Sequence, residues 1–197
     1  AWKALAVNVS DLVAKGAAPL GYLMALSFPA APTLGWMTGF VEGLRAAQTR
    51  FGCYLMGGDT DRRPGPLTVS ITAIGSVPRG RMVPRTMAQA GDGVFISGTI
   101  GDAGLGLELI QDRTLQQAWG LSDSEAAALR LRYRRPEPRL ALAPVIRQFA
   151  SAAMDISDGL AKDLDRLLRA SGVAGRLLMT GRPQLSAIHD ATTRPQV

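Results

Sequence analysis

Two acidic stretches hold residue types that could do chemistry. Residues 53–61 read Cys-Tyr-Leu-Met-Gly-Gly-Asp-Thr-Asp, an apolar run that meets two glycines and then acids. If 53–56 form a strand ended by Gly57 and Gly58, the backbone can turn tightly and a phosphate or metal can come close, because no Cβ stands in the way. Asp59 would then stand at the strand's mouth, where a hard cation such as Mg²⁺ finds carboxylate oxygens on a rigid support. A hairpin turn with solvated acids would use the same residues. Residues 152–160 read Ala-Ala-Met-Asp-Ile-Ser-Asp-Gly-Leu, which suggests a short strand running into a helix. Alternation with period two puts Asp155 and Ser157 on one side of that strand. Asp158 falls at the helix start, where an N-cap role alone would justify it. Capping does not account for Asp155, an acid inside a strand that should otherwise be apolar. Helix-start amides, a hydroxyl and two carboxylates converging on one spot suit metal-bound phosphates.

The elements that must position these residues follow from periodicity. Leu5, Val9, Leu12 and Val13 repeat at helical spacing over 2–15, with Asn8, Asp11 and Lys15 along another edge and Gly16 as a stop. Asp11 on that edge is equally compatible with a solvated helix carboxylate. A strand is expected over 20–28, ended by Pro29. A helix over 33–51 follows, with Thr33 as N-cap and Leu34, Met37, Val41 and Leu44 as its apolar stripe. Residues 67–77 alternate as a half-buried antiparallel strand, and this order predicts helices covering one face of a sheet. The other face is free to close against a second copy of the chain.

Residues 78–90 shift to Pro, Gly, Arg and Met and read as a linker, which divides the chain into 1–79 and 80–197. Beyond it the pattern predicts a strand over 92–99, a tight turn with Asp102 as N-cap, and a helix over 102–111. The glycines at 98, 101 and 104 do not have the Gly-x-Gly-x-x-Gly spacing of a dinucleotide fingerprint. Ser122 and Glu125 have capping-box spacing for a helix to about 133. Pro138 suits the first turn of a helix reaching Phe149, with Leu142, Val145, Ile146 and Phe149 as its apolar side. A last helix should run to about 171, with Leu160, Leu164, Leu167 and Leu168 facing a core. Residues 182–197 lack periodicity.

The 197 residues are 47% hydrophobic and 19% charged, an ordinary globular balance. No apolar run reaches the length of about 18–20 residues needed to span a bilayer, so a soluble cytoplasmic protein is expected. Cys53 is the sole cysteine, which excludes an internal disulfide and a multi-cysteine zinc site. The sole histidine, His189, reads as a surface residue in a polar segment. A net charge of +6 favours phosphorylated or polyanionic partners. The densest arginine run, 130–139, carries one tyrosine and no aromatic array for base stacking, so nucleic acid is a weak proposal and a solvated helix end the plain one.

Taken together, Asn8 to Asp11, Gly57-Gly58-Asp59-Thr60 and Asp155 to Leu160 resemble the thiamine-monophosphate kinases, ATP-dependent enzymes of the aminoimidazole-ribonucleotide synthetase superfamily. The resemblance runs over about residues 1–180. It implies an α/β fold of the α+β type with two subdomains, an N-terminal sheet covered by helices on one face and a second α/β domain. It also implies a homodimer formed through the first sheet, with ATP and thiamine monophosphate as partners and several Mg²⁺ ions. By position, the family's metal ligands fall on Asp11, Asp59, Asp155 and Asp158, and its ATP contacts on Gly58, Arg85 and Ser157. Direct phosphoryl transfer needs positioning and charge neutralisation rather than a protein nucleophile, which agrees with these residue types. The family's Gly-Asp-Asp and Thr-Asp segments upstream and its Gly-Gly-Glu-Asp-Tyr segment downstream are not present, which implies a chain incomplete at both ends. Two other readings use the same acids. One is a superfamily relative with another substrate, of the aminoimidazole-ribonucleotide synthetase or hydrogenase-maturation type. The other is a non-catalytic basic nucleic-acid-binding module whose acids only cap helices and turns.

Overall fold

The computed structural model of the chain describes residues 1–175; His189 and residues 182–197 lie outside them. Helix α1 (Trp2–Ala14) buries Leu5, Val9 and Val13 of the expected stripe, together with Ala6, while Leu12 is half-buried. It stops because Lys15 leaves helical geometry and Gly16 takes a positive φ of 73°, where a Cβ would collide with the Arg147 side chain. Strand β1 (Ala18–Phe28), helix α2 (Leu34–Phe51) and strand β2 (Tyr54–Arg62) form a parallel crossover, and β3 (Thr68–Ser76) returns antiparallel on the other side of β1. The sheet order is β2-β1-β3. Thr33 caps α2 as expected, its side chain accepting from the Trp36 amide.

One core joins α1, α2 and the near face of the sheet. Leu5, Val9, Val13, Tyr22, Leu44, Ala47, Phe51 and Cys53 are buried together, with Met24, Ile71 and Ala73 packed against them. Full burial of such side chains contributes about 1.5–3 kcal/mol each. The stripe expected on α2 is corrected by one face: Leu34 is 83% exposed and Val41 also faces out, while Leu44, Ala47 and Phe51 are buried. The face that is buried carries Leu44, Ala47 and Phe51 and packs in one cluster with Leu5, Val9 and Val13 of α1. The opposite face of the sheet exposes Leu23 and Ile74.

The largest correction concerns β2. The strand does not end at Gly57 and Gly58 but runs through them to Arg62, paired with β1 from Tyr54 opposite Gly21 to Arg62 opposite Phe28. The register slips between Tyr22 and Leu23, where Met56 is the extra residue. Gly58 is glycine because β1 comes so close that a Cβ there would lie 1.8 Å from the Met24 carbonyl oxygen.

Beyond β3 the described residues are helices and irregular chain. Helices α3 (Asp102–Gln111) and α5 (Asp123–Arg134) pack closely because Gly106 has no Cβ to meet the Leu129 carbonyl, and Leu109 and Ala126 are fully buried. A single turn, α4 (Leu115–Ala118), lies between them. The capping box of Ser122 and Glu125 is present in both directions. A 3₁₀ turn (Leu140–Leu142) leads into α6 (Ala143–Phe149), and α7 (Leu160–Ser171) closes the described chain.

Other local expectations are also corrected. Residues 92–99 and 152–157 form no strand, since extended chain needs a ladder partner and none lies beside them among the described residues; Phe95 is 94% exposed. Asp102 is the first residue of α3 rather than its cap, which is Gly101. The proline at the start of α6 is Pro144, not Pro138, and Ala143 rather than Phe149 is its buried residue. The cap of α7 is Gly159, not Asp158. The leucines of α7 are half-buried, and its one buried side chain is Asp163.

Candidate metal and phosphate site

Asp11 and Asp155, far apart in sequence, come together where the end of α1 meets the chain before α7. Asp155 is half-buried beside Asp11 and Ser10. Burial first, and then the neighbouring Asp11 charge, push its carboxyl above the ordinary carboxylate range, while a hydrogen bond with Ser10 acts in the opposite direction. Lys15, one helical turn after Asp11, is half-buried here, and its Nζ donates to the Ala153 carbonyl at 2.8 Å. Burial and the charge of Arg85 lower the Lys15 pKa, and Asp11 and Asp155 oppose that shift. Two carboxyls, an ammonium and the Arg85 guanidinium therefore share one electrostatic neighbourhood.

Backbone bonds assemble this corner. The Val83 amide donates to the Lys15 carbonyl at 3.2 Å, and the Ala153 amide donates to the Pro84 carbonyl at 3.1 Å. Ser171, at the end of α7, accepts from the Ala88 amide at 3.1 Å and donates to the Arg85 carbonyl at 3.0 Å. The Arg147 guanidinium donates to the Gly16 carbonyl, so α6 braces the same turn.

The remaining expected site residues lie apart from this pair. Asp158 is exposed and accepts from Arg166 at 2.6 Å, with Lys162 Nζ 3.1 Å away; its bonds with these two groups hold its carboxyl below the ordinary range. Ser157 is exposed, and its amide, with those of Asp158 and Gly159, donates to Asp163 Oδ2 at 2.9, 2.9 and 3.2 Å. The amides before α7 thus point at a buried carboxylate of their own helix rather than at an incoming phosphate. Asp59 lies opposite Ala25 in the β1–β2 ladder, on the open sheet face, with its Oδ1 accepting from the Thr60 amide at 2.8 Å. Gly58 precedes it on β2. Among the described residues no three His, Cys, Asp or Glu side chains gather into one cluster.

Sequence reasoning missed Ser10, Asp163 and Ser171. Asp163 carried a signal, an acid in the first turn of a helix with an otherwise leucine-rich edge, but its burial depends on the loop folding back over it. Three arginines of the 130–139 run have partners within the molecule. Arg130 donates to the Leu109 carbonyl and Gln116, Arg132 lies 3.7 Å from Asp102, and Arg135 stands over the Trp2 ring.

Residues 1–77 match the family described as AIR synthase related protein, N-terminal domain. A thiamine-monophosphate kinase of Salmonella typhimurium is 39% identical over 188 residues, covering 95% of this chain and 56% of the relative. The crystal structure of a thiamine-monophosphate kinase from Stenotrophomonas maltophilia superposes with a TM-score of 0.79 at 45% identity, over 88% of this chain and 54% of that one. The chain is a relative of the thiamine-monophosphate kinases. A further structure, AaThiL complexed with AMPPCP and TMP, superposes with a TM-score of 0.77 at 35% identity, over 87% of this chain and 53% of that one. The α/β fold class expected from the sequence is that of these relatives. The chain spans about half the length of the curated relatives it matches, 56%, 47% and 52% of the first three. Among the described residues no helix is long and apolar enough to cross a membrane.

Proposed function

We propose that the chain carries part of the machinery for ATP-dependent phosphorylation of thiamine monophosphate to thiamine diphosphate. The observation that carries this reading is the meeting of Asp11 and Asp155 beside Lys15 and Arg85. Two carboxyls held together against their own repulsion are a donor set suited to a divalent cation, and a nearby guanidinium suits phosphate oxygens. Asp11 and Asp155 would hold Mg²⁺, with Asp59 and Asp158 as further ligands and Gly58, Arg85 and Ser157 contacting ATP. Bound Mg²⁺ supplies charge neutralisation on the phosphates. The protein's own part is to fix the carboxylates, present the Arg85 guanidinium and hold the loop around Ser157 in register with α1. In this reading a substrate phosphate oxygen attacks the γ-phosphorus, and ADP leaves.

The same reading divides the chain into units at 1–79 and 80–197 and makes the protein a cytoplasmic homodimer. The open sheet face, with Leu23 and Ile74 exposed, is the surface for the second copy, and Asp59 lies on it. The test is formation of thiamine diphosphate from Mg-ATP and thiamine monophosphate, run beside Asp155→Asn. Product in the parent chain that disappears in the variant is the expected result. A folded chain that binds neither Mg-ATP nor thiamine monophosphate would overturn the reading.

A further inference from the structure

Lys15 is used twice, in two directions. Its carbonyl accepts from the Val83 amide at 3.2 Å, and its Nζ donates to the Ala153 carbonyl at 2.8 Å. A third bond, from the Ala153 amide to the Pro84 carbonyl at 3.1 Å, closes a ring through α1, the segment after the sheet and the chain before α7. Neither of the last two segments is in regular structure at these points, so no ladder aligns them. Each bond lies close to a residue of the site. Val83 and Pro84 immediately precede Arg85, Ala153 is two residues before Asp155, and Asp11 is one turn before Lys15 on the same helix edge. The half-buried stem reaches across the corner while the ammonium stays among Asp11, Asp155 and Arg85.

We propose that Lys15 is a positioning residue that sets Asp155 and Arg85 against Asp11 by tying both of their segments to the end of α1. This rests on the kinase reading for its consequence in catalysis, but not for the tether itself. A methionine at this position would have the reach but no donor; an arginine would keep a charged donor.

The experiment compares the parent 197-residue chain, Lys15→Met and Lys15→Arg by amide hydrogen exchange and by steady-state kinetics with Mg-ATP and thiamine monophosphate. The Ala153 amide is the reporter, because its own bond goes to Pro84 and senses the ring without touching Lys15. In Lys15→Met its protection should fall about tenfold, the size expected for one lost hydrogen bond from a charged donor. Protection in the α3–α5 pair should not change. The KM for Mg-ATP should rise about tenfold with kcat changed less, since the loss is of preorganisation. Lys15→Arg should recover most of both effects. Unchanged Ala153 protection in Lys15→Met overturns the tether. Lost protection with an unaltered KM overturns the positioning role. A parent chain without turnover would count against the kinase reading, and the exchange result alone would then decide for or against the tether.

Discussion

Asp155→Asn should make the metal-free protein more stable and the Mg²⁺-loaded protein less so. The substitution keeps the shape and hydrogen-bonding capacity of the side chain and removes one of two facing charges. Two unit charges about 4 Å apart interact by about 4 kcal/mol at an effective dielectric of 20 and about 1 kcal/mol in bulk water. Asp155 is only half-buried, so solvent screening brings the expected gain down to about 1 kcal/mol. For a chain of this size that is about 2–4 °C in Tm. The pH dependence has a definite direction. A carboxyl whose pKa is raised by folding favours the folded state while protonated, fully so below its ordinary value of 3.8, and loses that contribution as pH rises through the raised value. The advantage of the variant should therefore vanish near pH 3.8 and open on the alkaline side. Thermal melts in chelator across this range measure it. Adding Mg²⁺ should raise the Tm of the parent and leave the variant nearly unmoved, because binding to the folded state alone stabilises it. A variant that melts at or below the parent in chelator near neutral pH would refute the reasoning, since burial and the Asp11 charge would then not weigh against the ionised Asp155 carboxyl.

Asp163→Ala should destabilise the fold by about 1–3 kcal/mol in urea melts, because it strips the acceptor from three loop amides, while Arg166 keeps Asp158 as its partner; Asp163→Asn, which keeps an acceptor oxygen, should fall between variant and parent. Ser122→Ala should cost about 1 kcal/mol by loss of the α5 cap. Separately, the bonds from the Ser122 hydroxyl and amide hold the Glu125 carboxyl below its ordinary 4.5, and that favourable effect is present above 4.5 and lost as pH falls through the lowered value. Melts of parent and Ser122→Ala should draw closer in acid but stay apart, because the bond from the Glu125 amide to the Ser122 hydroxyl does not titrate.

Elements whose signal is local were legible. The stripe of α1, the Thr33 cap, the alternation of β3 and the capping box of α5 each depend on residues within a turn or two. What failed depended on a partner. Gly57 and Gly58 look like a turn until β1 is seen alongside, when Gly58 becomes the one residue that fits over the Met24 carbonyl. Residues 92–99 and 152–157 read as strands but form no ladder among the described residues, the Ala153–Pro84 bond standing alone. The meeting of Asp11 and Asp155 was implied by family resemblance and by nothing in the spacing, because no periodicity relates a helix edge to a loop so distant in sequence. Lys15 was visible on the Asp11 edge, but its use depends on where Ala153 lies. Asp163 read as an ordinary helix acid because only the folded loop takes it out of water.

The two halves of the proposed site differ in how they are held, and this bears on what metal binding there would do. Asp11 rides on α1, which is fixed by the core through Leu5, Val9 and Val13. Asp155 lies in irregular chain between two anchors. On one side Ala153 is bonded to Lys15 and Pro84; on the other, the amides of Ser157, Asp158 and Gly159 are gathered by Asp163. At a net of about 0.5–1.5 kcal/mol per hydrogen bond, these five bonds together exceed a screened carboxylate repulsion of about 1 kcal/mol. The repulsion is therefore stored in place rather than relieved by opening the loop. On the proposed reading, a cation between Asp11 and Asp155 would remove that repulsion without having to order the chain, and the cost of assembling the site would be met during folding rather than at the moment of binding.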